Sequence, residues 1–276
     1  MPASGIRGLH GRPYIDLEPY LDLSGLDEIH EEVCLGLASV PVDYTGGSHR
    51  SMGITPPRRA DDVGVDYGEV IRSMDDAAFA TFRSLSDAPD AIDPSRRHEL
   101  TFGEERAVAL SRRQMLWLKV RFGVYFPWKA YIELIPNDRW EDKASAEGKR
   151  FTRIARTFFP KTIAFVRSLP FSHVGRCNIM GLESFDHGTV HRDGAPEEQA
   201  RPDEFITFVP GNDKRLFLWD DVAQKEIFVE ARAYWFNDFD FHGVAAAPHF
   251  RYSIRVDGVF SPELRERIER DTKGAA

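Results

Sequence analysis

Cysteine is scarce in this chain: two residues, Cys34 and Cys177, among 276. They are far apart and in unrelated contexts, which excludes a disulfide framework and a thiolate zinc site and leaves both as expected small core residues. Long apolar runs are missing as well. No stretch approaches the length of a membrane span, and the opening MPASGIRGLHGRPY lacks the apolar centre of a secretory signal. A cytoplasmic protein with no membrane partner is the expectation. Positive charge is in deficit, with a formal net charge of −8 and a pI of about 5.6. Nucleic acid and anionic lipid would be repelled by the chain as a whole. There is no internal repeat and no low-complexity tract.

What is present is the composition of a soluble globular protein: 42% hydrophobic and 29% charged residues, with 20 Phe and 5 Trp. At this length one large domain, or one domain with a substantial extension, accounts for the chain. Up to about residue 170 the patterns are mixed. Leu26 to Leu37 reads as a helix with Asp27 and Glu28 at its positive end, followed by a return strand to Val42. TGGSHRSMGITPPRRADD reads as a surface loop. Helices are expected over 68–86 and 103–120, the second with apolar Ala107, Leu110, Met115, Leu116 and Leu118. The basic run RRQMLWLKVR within it reads as a solvated face. KAYIELI alternates as a strand, and 149–169 reads as a helix broken near Pro160.

After Pro170 the character changes. RCNIMGL, EFITFVP, RLFLWD, KEIFVEA, AYWFND and FRYSIRVDGVF follow one another as short β-type runs, with a short amphipathic helix, SPELRERIERD, at the end. Close-spaced strands without long helices between them predict a barrel or jelly roll over about 172–260. The expected division is therefore 1–170, a helical or mixed region packing on the barrel, and 171–276, the β core.

Within that core lies DHGTVHRDG, 186–194. On an extended segment His191 and Asp193, at i and i+2, share a face, and Arg192 points away. Two histidines and one carboxylate with open positions suit non-haem Fe(II). The third ligand expected is His242, fifty-one residues on, with His249 its competitor. Further along, FRYSIRVDG places Arg251, Ser253 and Arg255 on one face and Tyr252, Ile254 and Val256 on the other; an arginine with a serine at i+2 forms a fork for a carboxylate. His30-Glu31-Glu32 also spells His-x-acid, but on a helix i and i+2 diverge, and it is assigned to solvent.

H-x-D, a distal histidine and R-x-S nine residues later resemble the Fe(II)- and 2-oxoglutarate-dependent oxygenases. GRCNIMGLESFDHGTVHRDG, RAYWFNDFDFHGV and RYSIRVDGVFSP are similar, more narrowly, to the aspartyl/asparaginyl β-hydroxylase superfamily, which also includes free proline hydroxylases. The resemblance covers about 172–265, roughly a third of the chain. It implies an α+β protein with a double-stranded β-helix (jelly-roll, cupin-like) core and flanking helices mainly from the N-terminal half. It also implies Fe(II) on His191, Asp193 and His242, and Arg251 on the distal carboxylate of 2-oxoglutarate with Ser253 beside it. O2 is then the oxidant, and an unactivated C–H bond is hydroxylated with release of succinate and CO2. Vertebrate aspartyl/asparaginyl hydroxylases lack the carboxylate ligand that Asp193 supplies here, so an aspartyl-residue substrate is not inherited. An amino acid, free, peptidyl or carrier-bound, is the implied substrate.

Around this centre several residues stay open to two readings. Arg176 and Asn178 alternate on the strand leading into the site and can reach the co-substrate or the substrate, or form a polar ladder. His187 reads as support for the centre. Asn237, Asp238 and Asp240 suit a turn as well as a site, and Tyr234, Trp235 and Phe236 read as core. Competing functions are a cupin-like metalloprotein that does not use 2-oxoglutarate and a non-enzymatic jelly-roll binding module.

Overall fold

The computed structural model describes residues 5–40, 67–100, 110–124, 130–137, 140–185, 187–194, 197, 199–211 and 213–273. The expected return strand past Val40, the TGGSHRSMGITPPRRADD loop, Ala107 and Asp186 lie outside these residues.

The described residues form helices and two antiparallel sheets. Their ten strands are β1 (Tyr14–Asp16), β2 (Ala130–Ile135), β3 (Phe171–Leu182), β4 (Gly188–His191), β5 (Phe205–Phe208), β6 (Leu216–Asp220), β7 (Lys225–Phe228), β8 (Ala233–Phe236), β9 (His242–Val244) and β10 (Arg251–Phe260). The large sheet has the order β1-β8-β5-β10-β3-β2 and the small one β4-β9-β6-β7. From β3 onward the chain therefore crosses repeatedly from one sheet to the other. Each expected β run after Pro170 forms a strand, and short β1 and β2 extend the large sheet at its two edges from the N-terminal half.

The centre of the large sheet is β10, antiparallel to β3 on one side and β5 on the other. Nine of its ten residues are buried, although the strand alternates polar and apolar in the way usually seen when one face meets water. Both faces are covered. Tyr252, Ile254 and Val256 join the main apolar core, with Leu26, Ile29 and Val33 of helix α1 (Leu26–Ser39). The opposite face, with Arg251, Ser253 and Arg255, is buried too, and its Ser253 and Arg255 border a cavity shared with the small sheet.

Helix α1 packs on α5 (Arg153–Phe158) and α6 (Pro160–Ser168). The break between the last two falls at Phe159, φ −133°, with Pro160 at the first position of α6, where its missing N–H is harmless. Gly36 allows the close approach, because a Cβ there would sit 2.3 Å from the Phe159 ring. Of His30-Glu31-Glu32, assigned to solvent, Glu31 is exposed but the other two are not free in solvent: Glu32 accepts from the backbone N–H of Lys161 and Thr162 at 2.7 and 2.8 Å and so caps α6, while His30 Nδ1 meets the Tyr252 hydroxyl at 3.0 Å. Cys177 is buried as expected, whereas Cys34 is exposed on α1 because its position falls off the Leu26-Ile29-Val33 stripe.

Residues 67–124 hold a second apolar cluster, with Ile71, Phe79, Phe82, Met115 and Leu118. Its helices are α2 (Tyr67–Arg72), α3 (Asp76–Ser84) and α4 (Arg112–Phe122). The expected helix over 68–86 is interrupted by Asp75, whose carboxylate accepts from Ala78 N–H and starts α3. Ser111 and Gln114 form a reciprocal capping box that sets the start of α4, and Leu116 faces solvent rather than the core. Helix α7 (Pro262–Lys273) closes the chain, with Leu264 and Ile268 in the main core. Among the described residues no helix is long and apolar enough to cross a membrane.

Candidate metal centre

His191 ends β4 and His242 begins β9, and the two are direct register partners in the small sheet. Antiparallel pairing is what closes the fifty-one residues between them, bringing the rings to 4.4 Å between centroids. Asp193 follows two residues after His191, held by backbone N–H bonds from Asp193 and Gly194 to the Asp238 carbonyl at 3.0 and 3.2 Å. Its Oδ1 lies 3.5 Å from His191 Nε2 and 3.9 Å from His242 Nε2. One ligand atom from each residue falls within 4.8 Å of the others. His249 is exposed and takes no part.

The donor set is chemically prepared for a cation. His242 Nδ1 stands 3.1 Å from the Asp240 carbonyl, which can only accept, so Nδ1 carries the hydrogen and Nε2 keeps its lone pair toward Asp193. Burial, helped by the neighbouring His191, lowers the His242 pKa to about 3, which keeps the imidazole neutral. Burial by itself raises the Asp193 pKa. Arg255, a hydrogen bond from His191 and the two histidines outweigh it and hold the carboxyl well below the usual carboxylate range. An ionised carboxylate beside two imidazoles, that of His242 neutral, is the ligand set that suits Fe(II).

Around the three residues runs a line of buried charge. Arg255 Nη1 is 2.5 Å from Asp193 Oδ2, Arg255 Nε is 2.9 Å from Asp257 Oδ1, and Arg176 Nη2 is 2.9 Å from Asp257 Oδ2. The Arg255 guanidinium also lies over the Phe205 ring, 3.8 Å from its centre. Burial would raise the Asp257 pKa, but Arg176 and Arg255 keep it ionised. Arg176 is thus committed to a carboxylate of the chain itself. A second group lies behind Asp193: Lys143 Nζ is 2.5 Å from Asp203 and 3.5 Å from Asp238. Burial pushes the Asp238 carboxyl up to about 7 against the pull of Lys143 and Arg255.

The candidates for co-substrate binding separate in space. Arg176, Asn178 and Ser253 line the same cavity as His191, Asp193 and His242. Arg251, 1% exposed, is at the start of β10, where Nη1 and Nη2 donate to the carbonyls of Glu183 and Ala245 at 3.3 and 2.5 Å. It borders a separate cleft with His30, Cys34 and Tyr252. Its charge is nonetheless felt at Lys214, which lines the cavity of the three ligands: burial first, then Arg251, lowers the Lys214 pKa well below the ordinary value. Lys214 donates to the Met180 carbonyl.

Sequence reasoning passed over Lys214, Lys143, Tyr131 and Thr207. None sits in a periodic run with the motif. Arg255 had a usable signal, because it continues the alternation of Arg251 and Ser253 by two residues. Asn237, Asp238 and Asp240, which suited a turn, are buried ties: Asp240 accepts from Arg7 and Gly8 N–H at 2.8 Å each, and Asn237 donates to the Gly8 carbonyl at 3.0 Å. Tyr234, Trp235 and Phe236 are buried, and Phe236 lines the cavity with its ring 4.7 Å from that of His242. Arg192 is exposed and stacks on Phe241, pointing away as expected.

No family model matches the chain, and no curated protein does. Among solved structures, a Pseudomonas putida prolyl-4-hydroxylase is similar at 11% identity, over 48% of this chain and 71% of that one, with a TM-score of 0.28. An oxidoreductase of the 2OG-Fe(II) oxygenase family from Burkholderia pseudomallei is similar at 11% identity, over 46% and 66%, with a TM-score of 0.30. A Trichoplax adhaerens prolyl hydroxylase in complex with a hypoxia inducible factor oxygen degradation domain peptide is similar at 10% identity, over 51% and 64%, with a TM-score of 0.29. Likenesses this distant leave the chemistry to be read from the geometry of His191, Asp193 and His242.

Proposed function

We propose that the protein is an Fe(II)- and 2-oxoglutarate-dependent dioxygenase, related to the aspartyl/asparaginyl β-hydroxylase-like group, that hydroxylates a C–H bond of an amino acid or of a compound containing one. The observation that supports it most is the meeting of His191, Asp193 and His242, two imidazoles and an ionised carboxylate, around one cavity. The strand order supports it as well. Strands β3, β10, β5 and β8 face β4, β9, β6 and β7 across the core, the order of a double-stranded β-helix, with β1 and β2 added at its edges. The division at about residue 170 then separates that core from the segment that flanks it.

In this reading His191, Asp193 and His242 hold Fe(II), and the metal with 2-oxoglutarate and O2 supplies the oxidising power that activates the C–H bond. The chain's own residues bind, orient and exclude water. Asp240 fixes the His242 ring, Asp238 holds the backbone of Asp193, and Arg255 neutralises the carboxylate oxygen turned away from the histidines. Ser253 and Lys214 line the cavity, and Arg251, whose charge reaches Lys214 from the adjoining cleft, supplies the cationic pull on the distal carboxylate of the co-substrate. No side chain is needed as a general acid or base.

The test is anaerobic titration with Fe(II) and 2-oxoglutarate, watching for a weak visible charge-transfer band, followed by a succinate-release assay over amino acids and peptides. A band that is lost in Asp193→Ala and His242→Ala supports the reading. No band with the intact protein, or an undiminished one in the double variant, overturns it.

A further inference from the structure

Two buried polar atoms beside the metal centre have no hydrogen-bond partner among the described residues: the donor Arg255 Nη2 and the acceptor Asn178 Oδ1. Orphaned groups of this kind are uncommon inside proteins, since leaving one unpaired costs about 1–3 kcal/mol. These two are not scattered. Arg255 of β10 and Asn178 of β3 are register partners, so they stand side by side on the same face of the large sheet, and both line the cavity that holds His191 and Asp193. Asn178 is fully buried and Arg255 is 5% exposed. The remaining atoms of each are taken: Asn178 Nδ2 donates to the Tyr131 hydroxyl at 3.1 Å, while Arg255 Nη1 and Nε hold Asp193 and Asp257.

We infer that Arg255 Nη2 and Asn178 Oδ1 form the substrate subsite, and that it takes a small carboxylic acid bearing an amino or hydroxyl donor on the neighbouring carbon. The carboxylate accepts from Arg255 and the donor is met by Asn178. 2-Oxoglutarate has the first group and lacks the second, so this subsite discriminates against the co-substrate while the Arg251 end receives it. The same guanidinium holds Asp193 with one nitrogen and the substrate carboxylate with another. It therefore sets the distance from the metal centre to the carbons next to that carboxylate. The cavity that these two residues share with His191, Asp193 and His242 is about 50 Å3. This assignment rests on the dioxygenase reading for the name "substrate", but not for the binding itself.

The experiment therefore uses chelator-treated, full-length protein and two-dimensional NMR titration. L-Alanine and L-lactate carry the donor, propionate lacks it, and 2-oxoglutarate is the fourth probe. Alanine or lactate is expected to bind about tenfold more tightly than propionate. Asn178→Leu, similar in volume, is expected to remove that advantage and to leave 2-oxoglutarate unchanged; Asn178→Ala replaces it where the leucine variant does not fold. Equal binding of alanine, lactate and propionate, no binding of the first two, or an unchanged preference in the variant overturns the subsite. A parallel Mn(II) titration separates the two levels: no metal binding with the alanine preference intact sinks the dioxygenase reading and leaves the subsite standing.

Discussion

Arg255 and Asp193 meet at 2.5 Å although sixty-two residues separate them, one on the central strand of the large sheet and the other just past the end of β4 in the small one. The pair links the two sheets at the candidate metal centre. The Arg255 side chain is 6% exposed and that of Asp193 12%, so the attraction is little screened, and removing either strands the other. A double-mutant cycle of Asp193→Asn and Arg255→Met in metal-free protein is expected to give a coupling energy on the order of 2 kcal/mol by urea unfolding. Additive effects would mean that the contact does not hold the sheets together.

Lys143 is the sole cation in contact with both Asp203 and Asp238 among the described ion pairs. Lys143→Met leaves the buried Asp238 and the partly buried Asp203 without that partner, and a loss of about 3 kcal/mol is expected. Adding Asp203→Asn should recover part of it. Thermal melting of the single and double variants reads both effects, and a melting temperature unmoved by Lys143→Met would contradict the placement of this lysine.

His242 gives a pH dependence of definite sign. Its folded pKa of about 3 lies below the ordinary histidine value of 6.5, so in metal-free protein the unfolded state binds the extra proton. Its contribution is complete above about pH 6.5 and is lost progressively as pH falls toward 3. The stability of the intact protein relative to His242→Gln should therefore fall with pH across that window, by several kcal/mol as an order of magnitude. Taking the difference between the two proteins removes the opposite trend from Asp238, whose raised pKa disfavours the folded state as pH rises from 3.8 to about 7. A flat difference curve would show that His242 is solvated.

Arg251→Ala tests the division of labour between the co-substrate cation and the subsite of Arg255 and Asn178. It is expected to raise the 2-oxoglutarate concentration needed for half-maximal turnover by about a hundredfold or more, in line with roughly 3–5 kcal/mol for breaking a buried charge pair. The Fe(II) requirement should change far less. Equal effects on both would place Arg251 in the fold and outside the co-substrate site.

Much of the site was legible in the sequence, and the reasons are local. The period of two in an extended segment pointed to His191 with Asp193, although β4 ends at His191 and the Asp238 carbonyl holds Asp193 beyond it, and the same period puts Ser253 and Arg255 on the cavity. The strand runs after Pro170 are short, apolar and bounded by turns, so their existence was legible too. Partners that depend on tertiary position were not. Lys214 and Lys143 lie in loop-like stretches and become site neighbours only when distant elements close over them. Glu32 spelled a solvated helix residue, yet it caps another helix 130 residues away. The capping box of Ser111 and Gln114 was available in SRRQ and marks the start of α4 better than the apolar spacing did.

Strand β10 carries guanidinium groups on one side and Tyr252, Ile254 and Val256 on the other, with neither side in water. A slip of one residue against β3 and β5 would exchange the two sets, driving Arg251 and Arg255 in among Leu26, Ile29 and Val33 and turning three apolar side chains toward Asp193. Most strands guard their alignment with one hydrophobic surface. Here misalignment is punished twice, by charge in oil and by oil among charges, so the alignment that completes the fold is the same one that assembles the chemistry.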